Sequence, residues 1–207
     1  MRLGFFGGSF NPPHIGHLAV AEACREGAAL DRVTWIPTAT SPHKQGRTDV
    51  ASGAERLALV RAAIDGNEAF SASGVEVERE GVSYTVDTLR ALRQRHRDDE
   101  LFWIVGGDSL ASFATWREPR EILRLATLVA YPRPGADLGA VPGWVMARTV
   151  LVEAPRLEIS STEIRRRLGA GTSVRYLVPD AVREAIRQRQ LYRGEAADAR
   201  TREASGG

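Results

Sequence analysis

Short apolar runs alternate with helix-patterned segments along almost the whole chain, and few folds accept that alternation. Residues 3–7 form an apolar run that ends in glycine, and residues 32–36 form another that Pro37 stops. Residues 70–77 suit a third strand. Residues 101–105 are continuously apolar and bounded by Gly106 and Gly107, as a strand buried on both faces requires. Residues 127–131 and 149–152 read as further strands. Between them lie helical patterns at 14–26 and 118–125, and at 85–97, where Val86, Leu89 and Leu92 share one face and Asp87 sits in the first turn. Ser52 with Glu55, and Ser160 with Glu163, carry the spacing of capping boxes, opening helices through Ala63 and Leu168. Residues 180–189 form a last amphipathic helix. The expected fold is α/β, a Rossmann-like doubly wound parallel sheet with helices on both faces. Ligands of such sheets bind beyond the carboxyl ends of the strands, where strand order reverses.

Composition sets outer limits. The 207 residues, 43% of them hydrophobic, suffice for one ordinary core. We expect a single domain over residues 1–193 and a disordered tail over 194–207, where large apolar residues are lacking. A formal charge of +2 argues against general nucleic-acid binding, which needs a clustered basic face. Cys24 is the only cysteine, so neither an intrachain disulfide nor a cysteine-rich metal site can form. The N-terminus is too poor in apolar residues for a signal peptide, and no apolar run is long enough to cross a bilayer. A cytoplasmic protein with no membrane partner is expected, and composition leaves the oligomeric state open. Among 28 Lys and Arg residues only Lys44 is lysine, which marks a place suited to a compact ammonium or a chance survivor of an arginine bias.

The chemistry concentrates after the first strand, in Gly7-Gly8-Ser9-Phe10-Asn11-Pro12-Pro13-His14-Ile15-Gly16-His17. Gly7 and Gly8 allow close approach of the backbone to a ligand, and Pro12 and Pro13 stiffen the entry to a helix. Helix N-termini attract phosphate, and His14 and His17, three residues apart, share a face of the first turn. Phosphate binding, an ordinary helix start and a metal site lacking a third ligand all remain open on these residues alone. The spacing matches neither a P-loop nor the dinucleotide fingerprint.

This stretch resembles the N-terminal signature of the nucleotidyltransferase superfamily, and within it most resembles the bacterial nicotinate-nucleotide adenylyltransferases. Asn11 stands where the family more often has aspartate. Four further segments resemble that family in order: Ser41-Pro42-His43-Lys44; Ser83-Tyr84-Thr85-Val86-Asp87-Thr88-Leu89; Gly106-Gly107-Asp108-Ser109-Leu110 with Trp116; and Ile159-Ser160-Ser161-Thr162-Glu163-Ile164-Arg165, followed by Arg175 to Pro179. Together they span residues 1 to about 193.

The resemblance implies an enzyme that joins nicotinate mononucleotide and ATP into nicotinate adenine dinucleotide, releasing pyrophosphate, in NAD biosynthesis. It implies that His14, His17, Lys44 and Arg165 are catalytic. ATP would meet Gly7, Gly8, Ser9, Phe10, His14, Gly16, His17, Gly106, Asp108, Ile159, Ser160, Ser161, Thr162 and Arg165. The mononucleotide would meet Lys44, Tyr84, Thr85, Trp116 and Arg133. Mg²⁺ would be bound mainly through the ATP phosphates, with no protein cage. Related readings are an acceptor of nicotinamide mononucleotide or pantetheine phosphate, or a non-catalytic nucleotide-binding regulator on the same fold.

Overall fold

The computed structural model describes residues 1–39, 51–79, 82–132 and 137–194. Its elements run β1 (Arg2–Gly8), α1 (Ile15–Gly27), β2 (Arg32–Pro37), α2 (Gly53–Ile64), β3 (Phe70–Ala72), α3 (Thr85–Arg95), β4 (Glu100–Gly106), α4 (Gly107–Ala111), a 3₁₀ turn (Phe113–Thr115), α5 (Pro119–Leu125), β5 (Thr127–Tyr131), α6 (Gly143–Met146), β6 (Thr149–Leu151), α7 (Ser161–Gly169) and α8 (Asp180–Gln188). The sheet is six-stranded and parallel, in the order β3-β2-β1-β4-β5-β6. Strand order reverses between β1 and β4, whose residues 2–6 pair with 100–104.

Side chains alternate across the sheet, as the two-residue period of a strand demands. Phe6, Phe102, Ile104 and Val129 pack to one side with α1, α2, α7 and α8. Phe5, Leu101, Trp103, Val105, Leu128 and Ala130 pack to the other with α3, α5 and α6. Both faces are covered, which is why β4 is buried from Leu101 to Val105.

Two sequence expectations need correction. The strand expected over 70–77 ends at Ala72. After Ser73 N–H bonds the carbonyl of Trp35, the chain turns at Gly74, with Glu78 N–H on the Gly74 carbonyl at 2.9 Å. The capping box at α7 is half formed: Ser160 Oγ accepts from Glu163 N–H at 3.2 Å, while both Glu163 oxygens accept from Arg166 at 2.7 Å. At α2 the box is complete. No helix among the described residues is long and apolar enough to cross a membrane.

Candidate active site

The carboxyl ends of β1 and β4 open at the switch point onto a cleft of about 810 Å³. From one side come Gly7, Gly8 and Ser9; from the other come Gly106, Gly107 and Asp108, where α4 begins without a connecting loop. Tyr84 and Thr85 line it from the start of α3, and Trp116 from the end of the 3₁₀ turn. Eight residues expected from the sequence thus meet in one place: Gly7, Gly8, Ser9, Tyr84, Thr85, Gly106, Asp108 and Trp116. Trp116 is half-buried, its ring 5.2 Å from that of Phe113. The Arg117 guanidinium lies 4.7 Å over the Tyr84 ring.

The glycines have an internal cause as well as a ligand-facing one. A Cβ on Gly7 would stand 2.7 Å from the Trp103 ring, and one on Gly8 would stand 2.8 Å from the Phe10 ring. Phe10 itself has a φ of 44°, a left-handed conformation rare for such a residue. Its ring is 2% exposed, packed among Phe6, Trp35 and His17. The sequence points Phe10 towards ATP; the ring lies in the core, which leaves its backbone as the part available to a ligand.

His14 caps α1 and His17 lies in its first turn, their rings 3.7 Å apart. The backbone N–H of His14 donates to His17 Nδ1 at 3.2 Å, so a neutral His17 carries its proton on Nε2. His14 is buried, and its Nδ1 has no hydrogen-bond partner among the described residues. Burial pushes the His14 pKa down to about 4. Burial, then the charge of His14, lowers His17 well below the ordinary histidine value. Both rings are therefore neutral at pH 7. A Cβ on Gly16 would lie 3.1 Å from His14 Nδ1, so a side chain there would push the His14 ring by a few tenths of an ångström.

α7 and the segment after it close on this turn. Ser161 Oγ donates to the Pro12 carbonyl at 2.9 Å, and Arg165 Nη1 donates to the Asn11 carbonyl at 2.9 Å. Ile15 N–H reaches the Leu177 carbonyl at 3.0 Å. The sequence suggests that the hydroxyls of Ser160, Ser161 and Thr162 face a triphosphate. In the fold, Ser160 caps α7, Ser161 docks on Pro12, and Thr162 Oγ1 lies 3.5 Å from Arg165 Nη2. Ile159 is half-buried beside them, packed against the core. Lys44 and Arg133 lie outside the described residues.

Several lining residues escape sequence reasoning. Glu76 is buried and lines the cleft, accepting from Thr88 Oγ1 at 2.8 Å, and its burial raises its pKa. Ser83 stands in the sequence only as the first letter of a motif, yet its buried side chain borders the same space and acts on Glu76, opposing the rise in that carboxyl's pKa. Tyr131, at the end of β5, also lines it. Their signal is weak because each reaches the cleft through tertiary folding rather than through a motif of its own. No group of three or more His, Cys, Asp or Glu residues among those described converges to hold a metal.

The sequence profile of the cytidylyltransferase-like family matches residues 5–167. A protein of Salinibacter ruber named probable nicotinate-nucleotide adenylyltransferase is 49% identical over 193 residues, covering 93% of this chain and 98% of its own. The protein of the same name from Exiguobacterium sibiricum is 45% identical over 192 residues, covering 93% and 99%. Among solved structures, Plasmodium falciparum nicotinic acid mononucleotide adenylyltransferase complexed with NaAD has a TM-score of 0.74 over 92% of this chain and 97% of that one, at 16% identity. A putative nicotinate-nucleotide adenylyltransferase from Vibrio parahaemolyticus gives 0.67 over 93% and 95%, at 22% identity. The two structures bear on the fold; the profile and the curated relatives bear on the family. This chain belongs to the cytidylyltransferase-like family and, within it, to the nicotinate-nucleotide adenylyltransferases.

Proposed function

We propose that the protein joins nicotinate mononucleotide to the adenylyl group of ATP, giving nicotinate adenine dinucleotide and pyrophosphate. The observation that carries this reading is the neutral His14–His17 pair at the start of α1, on the turn that continues from Gly7, Gly8 and Ser9 of the cleft; Tyr84, Thr85 and Trp116 line that cleft and neither histidine does. A 5′-phosphate oxygen attacks the α-phosphorus of ATP, and the bond from that phosphorus to the bridging oxygen breaks as pyrophosphate leaves. The attacking phosphate is already ionised at neutral pH, so no general base is needed. What remains for the protein is to align two polyanions and stabilise the charge that moves.

His17, through Nε2–H, serves the α-phosphate, and His14 serves the phosphates beside it. The open N–H groups at the start of α7, with Arg165, hold the β- and γ-phosphates. Asp108, in the first turn of α4 just past β4, suits ribose hydroxyls, and Tyr84 and Trp116 flank the pyridine ring. Thr85, at the start of α3, is placed to offer N–H to the ring carboxylate. Lys44 and Arg133 are assigned to the mononucleotide phosphate. Mg²⁺ would take its ligands from ATP phosphate oxygens and water, where it offsets charge on the triphosphate. The same reading treats residues 1–193 as one domain of a cytoplasmic enzyme.

A coupled pyrophosphate assay with nicotinate and nicotinamide mononucleotides tests the acceptor. Faster turnover of the acid is expected, and preference for the amide overturns it. His17→Ala should lower kcat by about 100-fold or more while the melting midpoint stays within a few degrees. Turnover near wild type would take the α-phosphate role away from His17.

A further inference from the structure

Pro12 and Pro13 have no N–H, so at that end of the turn from Ser9 to Pro12 the backbone can be gripped only by its carbonyls. Donors from distant elements hold three of them. Arg56 of α2 donates through Nη1 to the Ser9 carbonyl at 2.9 Å. Arg165 and Ser161 of α7 take the Asn11 and Pro12 carbonyls. The Asn11 side chain is held as well: its Oδ1 accepts from the Tyr192 hydroxyl at 2.7 Å and from Ala51 N–H at 3.1 Å.

Arg56 closes the network. Besides Ser9 it donates through Nε to the Ala51 carbonyl at 3.0 Å and through Nη2 to the Ala39 carbonyl at 3.1 Å. The residue is 3% exposed. Burying a guanidinium costs several kcal/mol unless it is well bonded. The offset comes from three charge-assisted bonds to backbone oxygens on three separate stretches of chain. A planar peptide whose carbonyl is fixed has its N–H fixed in the opposite direction, so Arg56 also sets the Phe10 N–H. That N–H belongs to the turn leading to His14.

We infer that Arg56 and Tyr192 are positioning residues, which hold the phosphate turn from behind through Ser9 and Asn11 and so make the C-terminal segment part of the active site without touching substrate. The inference rests on the adenylyl-transfer reading of the site. Tyr192→Phe deletes one oxygen and leaves the ring packing in place, so it probes the bond rather than the fold.

Tyr192→Phe should lower kcat by about 5- to 20-fold and ATP affinity by about 3- to 10-fold, with the KM for mononucleotide changed by no more than about two-fold. Its melting midpoint should stay within about 3 °C of wild type. Asn11→Ala and the Asn11→Ala/Tyr192→Phe double variant should have equal kcat within about two-fold, because both lose the same bond. Arg56→Lys keeps the charge but cannot fork to three carbonyls, and should lower kcat by about 10- to 100-fold. Unchanged kcat and ATP affinity in Tyr192→Phe, or multiplicative losses in the double variant, would overturn the inference. ATP affinity, measured calorimetrically, separates the two failures. A wild type that turns over neither mononucleotide defeats the functional reading, whereas the comparison of ATP affinities still decides the role of Tyr192.

Discussion

Gly16 lies inside α1, where alanine ordinarily favours a helix over glycine by about 1 kcal/mol. Its Cβ would press on His14 Nδ1 at 3.1 Å, and the His14 ring is stacked 3.7 Å from that of His17. Gly16→Ala should therefore leave urea stability nearly unchanged while lowering kcat by about 10-fold, a split that chemical denaturation and the pyrophosphate assay read together. The depressed His14 pKa has a consequence for stability. In the unfolded chain the ring takes a proton near pH 6.5, and in the folded protein only near pH 4. The contribution of this ring to stability should be constant above pH 6.5 and fall as pH drops towards 4, by about 3 kcal/mol. Denaturant midpoints across that range should be less pH-sensitive in His14→Gln. That the two histidines share a face is legible from their spacing; their role, and that of the glycine between them, comes only with the family resemblance. Phe10 is not, because nothing in the turn's composition announces a left-handed residue whose ring fills the space beneath Gly8.

The helices differ in how openly they declare themselves. α2 forms both bonds of its capping box, Ser52 N–H to Glu55 at 2.7 Å and Glu55 N–H to Ser52 at 3.2 Å. Ser52→Ala should cost about 1 kcal/mol in urea denaturation. α7 carries the same letters and forms one of the two bonds, because Arg166, one turn on, competes for the carboxylate. The long elements are readable to within a few residues, since periodicity and caps agree along them. α4 and α6 escape sequence reading, being five and four residues long, too short to show a period. The alternation of Val75 and Val77 suggests a strand where the chain in fact turns to send Glu76 inwards to Thr88. A buried carboxylate and a polar face look alike in sequence.

At the scale of the whole molecule, β1 and β4 meet closely on the face that packs against α3, α5 and α6. Trp103 fills the space a Gly7 Cβ would need, at 2.7 Å. Gly7→Ala should thus destabilise the protein by about 1–3 kcal/mol, and Trp103→Phe in the same chain should recover part of that loss. Alternating patterns identify a doubly wound sheet, but not the order of its strands, which depends on which edges pair rather than on which faces are apolar. The network behind the turn is illegible for the same reason: Arg56 and Tyr192 look like ordinary helix and tail residues until folding brings them to Ser9 and Asn11. The central place of β1 also matters while the chain is being made. β1 leaves the ribosome before the other strands of the sheet, yet one of its edges waits for β4, residues 100–106, to supply its partner. Until then the nascent chain carries a half-zipped sheet whose middle strand is open to foreign strands, the situation in which chaperone capture is most useful. The strand that leads into the Ser9–Pro12 turn thus cannot be paired on both edges until the chain has been made as far as residues 100–104.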